Sequence, residues 1–194
     1  MQLKRMFSTD DVKGTRGYLR TQKNYEIIRT VLYFAISLAL FIAGWCSTGS
    51  RENLLTIVAV LGCLPACKSL VEMFMYLRYK GCDERDASLI AAHTQGLTGL
   101  YDCVFTSYEK NFCIHHLTVC GNTICGYTAD PKFEEQAFNK HIQAILKKDN
   151  YRETSVKIFN DLDKYVKRCE QLKELPTQPE LTSGICQTLK SVSL

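Results

Sequence analysis

The feature that most constrains this chain is a pair of apolar segments between Val31 and Leu77, divided only by the polar stretch Cys46-Ser-Thr-Gly-Ser-Arg-Glu-Asn53. A helix of about 20 apolar residues crosses the roughly 30 Å hydrocarbon core of a bilayer. Two such segments with so short a connection read as a transmembrane helical hairpin, with spans near 27–45 and 54–77. Ser37 is the polar residue of the first span's interior, and Trp45 sits where an interfacial aromatic belongs. The second span carries Pro65, which is expected to kink it, and Lys68 and Glu72 four residues apart on one face. Lys68 lies about 21 Å from the start of this span at 1.5 Å per residue, so its ammonium can snorkel toward the cytoplasmic headgroups and pair with Glu72. The competing reading, an ion or substrate pathway, requires several hairpins, because two helices enclose no pore.

Flanking charge sets the expected orientation. Lys4, Arg5, Lys13, Arg16, Arg20, Lys23 and Arg29 precede the first span against only Asp10, Asp11 and Glu26, and Arg78 and Lys80 follow the second. Basic flanks stay in the cytoplasm, so the expectation is a multi-pass protein of the plasma (inner) membrane with both termini cytoplasmic. The first 25 residues hold no apolar core, which argues against a cleaved secretory signal. Tyr18 to Arg29 contains no Pro or Gly, and Leu19, Tyr25 and Ile28 can share a face. This reads as a lead-in helix with Arg16, Arg20, Lys23 and Arg29 against anionic lipid headgroups, or else as a solvated arm that only sets orientation. The overall balance of 24 Lys plus Arg against 20 Asp plus Glu is too even for a concentrated nucleic-acid face. The hairpin topology puts eight of the ten cysteines in or next to the reducing cytosol, so they are expected to act as small apolar residues.

From Gly81 the composition becomes that of a soluble domain. Asp83, Glu84 and Asp86 suit the first turn of a helix, and Leu89, Ile90, His93 and Leu97 give it one face. Three runs with strand character follow at 100–108, 111–119 and 123–129, joined through Glu109-Lys110 and Cys120-Gly121-Asn122, so an antiparallel meander is expected. In the middle run Phe112 and Ile114 are expected on one face, with Cys113, Leu117 and Val119 on the other, as in a strand covered on both sides. After Pro131, an amphipathic helix over 133–148 buries Phe138, Ile142, Ile145 and Leu146. A short strand over 155–159 and a helix capped by Asp161, with Leu162, Tyr165, Val166, Cys169 and Leu172 on its inner face, complete the domain. Pro176 and Pro179 are read as its stop, leaving 176–194 as a flexible tail in which Leu181, Ile185 and Leu189 offer at most a weak docking helix. The expected organisation is thus an arm (1–26), a hairpin (27–80), a cytosolic α/β (α+β) domain of αβββαβα order (81–175) and a tail.

That order is similar to the core of restriction-endonuclease-like nucleases. The run Phe112-Cys-Ile-His-His-Leu-Thr-Val-Cys-Gly-Asn-Thr-Ile-Cys-Gly-Tyr-Thr128 resembles the nuclease-related (NERD) domain pattern of an apolar strand, a Gly turn and a second strand. The resemblance covers about half the chain. It implies that the family's metal-binding Asp falls on His115, its Glu on Gly126 and its Lys on Thr128. None of these supplies the oxygen ligands a hard cation needs or the ammonium that would steady a water, so the implied nuclease is inactive.

Other constellations compete with this one. Cys113, His115, His116, Cys120 and Cys125 are dense enough to raise zinc, but Cys120 and Cys125 lack the tight two-residue spacing of zinc knuckles, and no metal or cofactor is expected. Neither His115 nor His116 marks a neighbouring thiol as an activated nucleophile. Asp102, Glu109, Glu84 and Asp86 could form a migrated carboxylate site, though solvated positions are the simpler account. His93 and His141 are expected as hydrogen-bonded core histidines. The basic residues from Lys132 to Lys173 are interleaved with acids, which describes a solvated face and not a phosphate track. The favoured function is a non-catalytic membrane anchor whose cytosolic domain docks or scaffolds an assembly. Its expected partners are lipids and either copies of itself or other membrane subunits; nucleic acid is a further candidate. The alternatives are a membrane-tethered hydrolase or nuclease with unorthodox residues, and a small channel or transporter subunit.

Overall fold

In the computed structural model, which describes residues 12–49, 53–108, 110–151, 153–176 and 178–194, both apolar segments are helices. Helix α1 spans Tyr18–Thr48 and α2 spans Leu54–Arg78. The lead-in segment and the first span form one uninterrupted helix of 31 residues, about 46 Å long at 1.5 Å per residue. Asn53 caps α2, its Oδ1 accepting from the Thr56 amide at 2.8 Å, and α2 continues through Pro65. Lys4, Arg5, Asp10, Asp11, Glu109 and residues 50–52 lie outside the described residues.

The hairpin is built inside out relative to a water-soluble helix pair. Its inner face is small and polar: Thr30, Ser37 and Gly44 recur every seven residues on α1, and Ala59, Gly62, Ala66 and Ser69 recur every three or four on α2. Thr30 Oγ1 and Ser69 Oγ share a hydrogen bond of 2.9 Å, and a Cβ on Gly62 would lie 2.8 Å from Ser37 Oγ. Small residues at this spacing let two backbones approach closely. The outer faces are apolar and exposed, with Leu54 at 77%, Leu64 at 68% and Val31 and Val60 at 62%.

The remaining described chain, residues 12–18 with 81–194, forms a separate compact unit. Its elements are α3 (Glu84–His93), β1 (Thr98–Thr106), β2 (Asn111–Cys120), β3 (Thr123–Tyr127), α4 (Glu135–Lys148), β4 (Ser155–Phe159), α5 (Leu162–Leu172) and α6 (Pro179–Val192). The sheet order is β1-β2-β3-β4; the first three strands form the expected antiparallel meander, and β4 returns parallel to β3 after the α4 crossover. One face packs Phe105, Ile114, Leu117 and Ile124 against Phe138, Ile142 and Leu146 of α4 and Ile185 and Leu189 of α6. The other packs Cys125 and Tyr127 against Ile90 of α3 and Tyr165, Cys169 and Leu172 of α5. The unit is therefore a mixed α/β fold of three layers.

Three expectations are corrected. Of the expected tail at 176–194, the described residues 178–194 are no flexible segment: Pro179 starts α6 within its first turn, where a missing N–H costs nothing, and Ile185 and Leu189 are fully buried. The arm is no solvated leader over residues 12–18. Gly14 O accepts from the Tyr101 amide at 2.8 Å, Lys13 Nζ donates to Ser193 O at 2.9 Å, and Arg16 bonds Glu84 and Ser88. With the Leu194 amide bonding Val104 O, segments from both ends of the sequence cover the open edge of β1. Finally, Leu117 and Val119 share a face with Phe112 and Ile114. Strict alternation would put them on opposite faces, and the site below explains why it fails.

Candidate functional site

Alternation slips by one residue on two paired strands at once. On β1, Leu100 and Cys103 face the same core although they are three apart; on β2, Ile114 and Leu117 do likewise. The register is unchanged across the slip, Tyr101 pairing His116 on one side and Cys103 pairing Ile114 on the other. The residues at the slip are Asp102 and His115. Asp102 has φ 54°, a left-handed backbone that costs a non-glycine residue free energy and that Asp tolerates better than most. It is 1% exposed, and its Oδ1 accepts from the Cys82 amide at 2.7 Å, so the carboxylate pins the start of α3 to the strained strand. Strain held at a buried ionisable residue is a recognised mark of a functional position.

Around it the groups converge. His115 Nδ1 accepts from the Ala129 amide at 3.1 Å, which fixes the neutral tautomer with its proton on Nε2. Burial lowers the His115 pKa, against the opposing pull of Asp102, Asp83, Asp86 and Asp130. Tyr127 Oη donates to Asp86 Oδ2 at 3.0 Å, and burial reinforced by Asp86 raises the phenol well above its usual range. Burial, with Asp102 next in effect, pushes the Cys82 thiol up to about 12. The arrangement favours neutral His, Tyr and Cys side chains beside the carboxyl groups of Asp102, Asp83 and Asp86. It is suited to holding a cationic or hydrogen-bonding group, and not to generating a thiolate nucleophile.

The positions carried over from the nuclease resemblance have structural tasks. A Cβ on Gly126 would lie 2.7 Å from Ile158 Cδ1 and 2.9 Å from Leu117 Cδ2, so that position faces the packed core. Thr128 Oγ1 donates to Cys113 O at 2.8 Å, beside the bond that holds His115. Cys120 and Cys125 lie in the cluster under α3 and α5, Cys120 Sγ donating to Leu172 O, whereas Cys113 stays half-buried on β2. Among the described residues no group of three or more His, Cys, Asp or Glu side chains is placed to hold a metal ion. His116 is 1% exposed and shares a 2.6 Å hydrogen bond with Tyr165 Oη, which a second bond joins to Thr118 Oγ1 at 2.7 Å; burial lowers the His116 pKa to about 3. His93 is not a core residue: it is partly exposed and ties α3 to α5 through Glu170 at 2.8 Å. His141 lies half-buried beside the Phe112 ring.

On the hairpin, Arg29 turns inward. Its Nη2 contacts Glu26 Oε2 at 2.5 Å and Glu72 Oε2, and its Nε donates to Ser69 Oγ at 3.2 Å. Gln22 Nε2 donates to Glu26 Oε1 at 2.9 Å. Lys68 stands only 3.9 Å from Glu72 Oε1 and is 80% exposed. Trp45, Arg20 and Arg16 are exposed and Lys23 is half-buried. The Arg29–Glu72 link was hidden at sequence level because each residue already had a local reading, one in a basic arm and one in an i,i+4 pair. The seven-residue spacing of Thr30, Ser37 and Gly44 was the available signal that this α1 face meets α2. Comparison of the chain with protein-family models, curated proteins and solved structures returns no match.

Proposed function

We propose that this protein is held in a membrane by the α1–α2 hairpin and that its α/β unit serves as a non-catalytic docking module at the inner membrane face. The observation that carries the reading is the inverted hairpin: small and polar residues face inward, and Leu54, Leu64, Val31 and Val60 face outward. Two helices of 31 and 25 residues, long and apolar enough to cross a bilayer, have in lipid a solvent that suits those faces. The absence of catalysis is argued from occupied positions. If the α/β unit descends from a restriction-endonuclease-like ancestor, the carboxylate position is Gly126, turned into the core, and the lysine position is Thr128, committed to Cys113 O.

The test is fractionation followed by capture. The full chain should stay in the pellet when membranes are washed in alkaline carbonate, and gentle detergent should release it with itself or a partner in fixed stoichiometry. Release by carbonate overturns the anchor; a monodisperse monomer without a partner overturns the docking role. A membrane-tethered hydrolase is the second reading, favoured by the strained Asp102 beside His115. Hydrolysis of DNA or RNA that is lost in both Asp102→Asn and His115→Ala would establish it.

A further inference from the structure

We infer that Lys68 is the protein ligand of an acidic phospholipid, whose phosphate it binds at the cytoplasmic edge of the hydrocarbon. The inference rests on the anchor reading. Its starting point is that Glu72, four residues on, is shared: its Oε2 contacts Arg29, and its Oε1 meets Lys68 only at the outer limit of an ion pair. Arg29 in turn contacts Glu26. Lys68 is left at 3.9 Å from Glu72 with its side chain 80% exposed on the outer face of α2, between Leu64 and Val71, which are exposed at 68% and 60%.

Depth makes that exposure costly. With the hydrocarbon beginning at Leu54, the Lys68 Cα lies about 21 Å along the helix, or about 9 Å short of the far boundary of a 30 Å core. A lysine side chain reaches about 6 Å when it snorkels, so the ammonium stops about 3 Å below the headgroup layer and does not reach open water. An exposed cation at that level needs an anion that comes to it from the lipid side. A phosphate whose acyl chains lie against Leu64 and Val71 supplies both charge and apolar contact. Zwitterionic lipids carry the same phosphate with a competing choline; acidic lipids leave it uncompensated.

The test uses the full chain reconstituted in vesicles of phosphatidylcholine and phosphatidylglycerol in equal parts, re-extracted in mild detergent and weighed by native mass spectrometry. The wild type should retain phosphatidylglycerol over phosphatidylcholine by about fivefold, the preference one basic residue near a membrane surface supports. Lys68→Gln should lose that preference, Lys68→Arg should keep it, and Lys167→Gln, on the exposed face of α5 in the α/β unit, should leave it unchanged. Equal retention by wild type and Lys68→Gln overturns the inference, and so does a change of oligomeric state in Lys68→Gln with lipid retention intact, which would assign Lys68 to a protein partner. Carbonate washing of the same proteins separates the two levels: a chain that is washed off refutes the anchor itself, whereas a chain that stays without lipid preference refutes only the Lys68 site.

Discussion

Two buried polar residues have measurable consequences for stability. Asp102 couples a left-handed backbone to the Cys82 amide. Asp102→Ala removes an acceptor worth about 1.5–3 kcal/mol when charged and raises the backbone cost by about 1 kcal/mol. Asp102→Asn keeps an acceptor oxygen and a residue suited to positive φ. Urea unfolding of the detergent-solubilised chain should therefore show a loss of about 3 kcal/mol for the alanine variant and less than half of that for the asparagine variant. His116 predicts a pH dependence. Its folded pKa is lowered to about 3 against about 6.5 unfolded, so between these values the unfolded state binds the extra proton. Stability is then complete above about pH 6.5 and falls as pH drops toward 3, by on the order of 5 kcal/mol if burial persists. His115, lowered in the same direction, adds to the slope. A stability profile that His116→Gln leaves as steep as the wild type would refute this account.

At the scale of elements, what was legible in the sequence and what was not divide along a physical line. The hairpin spans and the meander announced themselves through local pattern: a 20-residue apolar length, and short β-branched and aromatic runs separated by turn residues. The face slip at Asp102 and His115 did not, because a left-handed aspartate in a strand leaves no trace in composition, and one residue of slip reassigns every side chain beyond it. The α6 helix was misread for a different reason. Pro179 and the polar residues around it look like an ending, yet proline at a helix start is a beginning, and the burial of Ile185 and Leu189 comes from a sheet face built elsewhere in the chain. Ile185→Ala should accordingly cost about 3 kcal/mol in urea unfolding, the scale of a core truncation and not of a mobile tail. In the hairpin, Gly62→Leu should separate the helices, since even a Cβ would crowd Ser37 Oγ at 2.8 Å. A lower unfolding temperature in detergent, with the α/β unit's near-ultraviolet signal unchanged, is the expected result.

For the whole molecule, the proposed anchor raises the question of which side of a membrane each part would occupy, and the native cysteines offer a test of it. Cys46 is exposed close to the C-terminal end of α1, before the short connection to α2, whereas Cys67 is exposed on the face assigned to lipid. Cys82 and Cys113 are half-buried in the α/β unit, and Cys103, Cys120, Cys125, Cys169 and Cys186 are buried there. Maleimides react with thiolates in water, so an impermeant maleimide added to intact cells should modify Cys46 and nothing else if both ends of the hairpin face the cytoplasm. In inverted vesicles Cys46 should be protected. Labelling of the α/β unit should then be slow, because the Cys82 thiol is pushed up to about 12 and is scarcely ionised at neutral pH. Cys46→Ala should abolish the signal from intact cells. Slow labelling of intact cells that survives this substitution would put the α/β unit outside, and with it both the docking surface and the headgroup that Lys68 is inferred to hold.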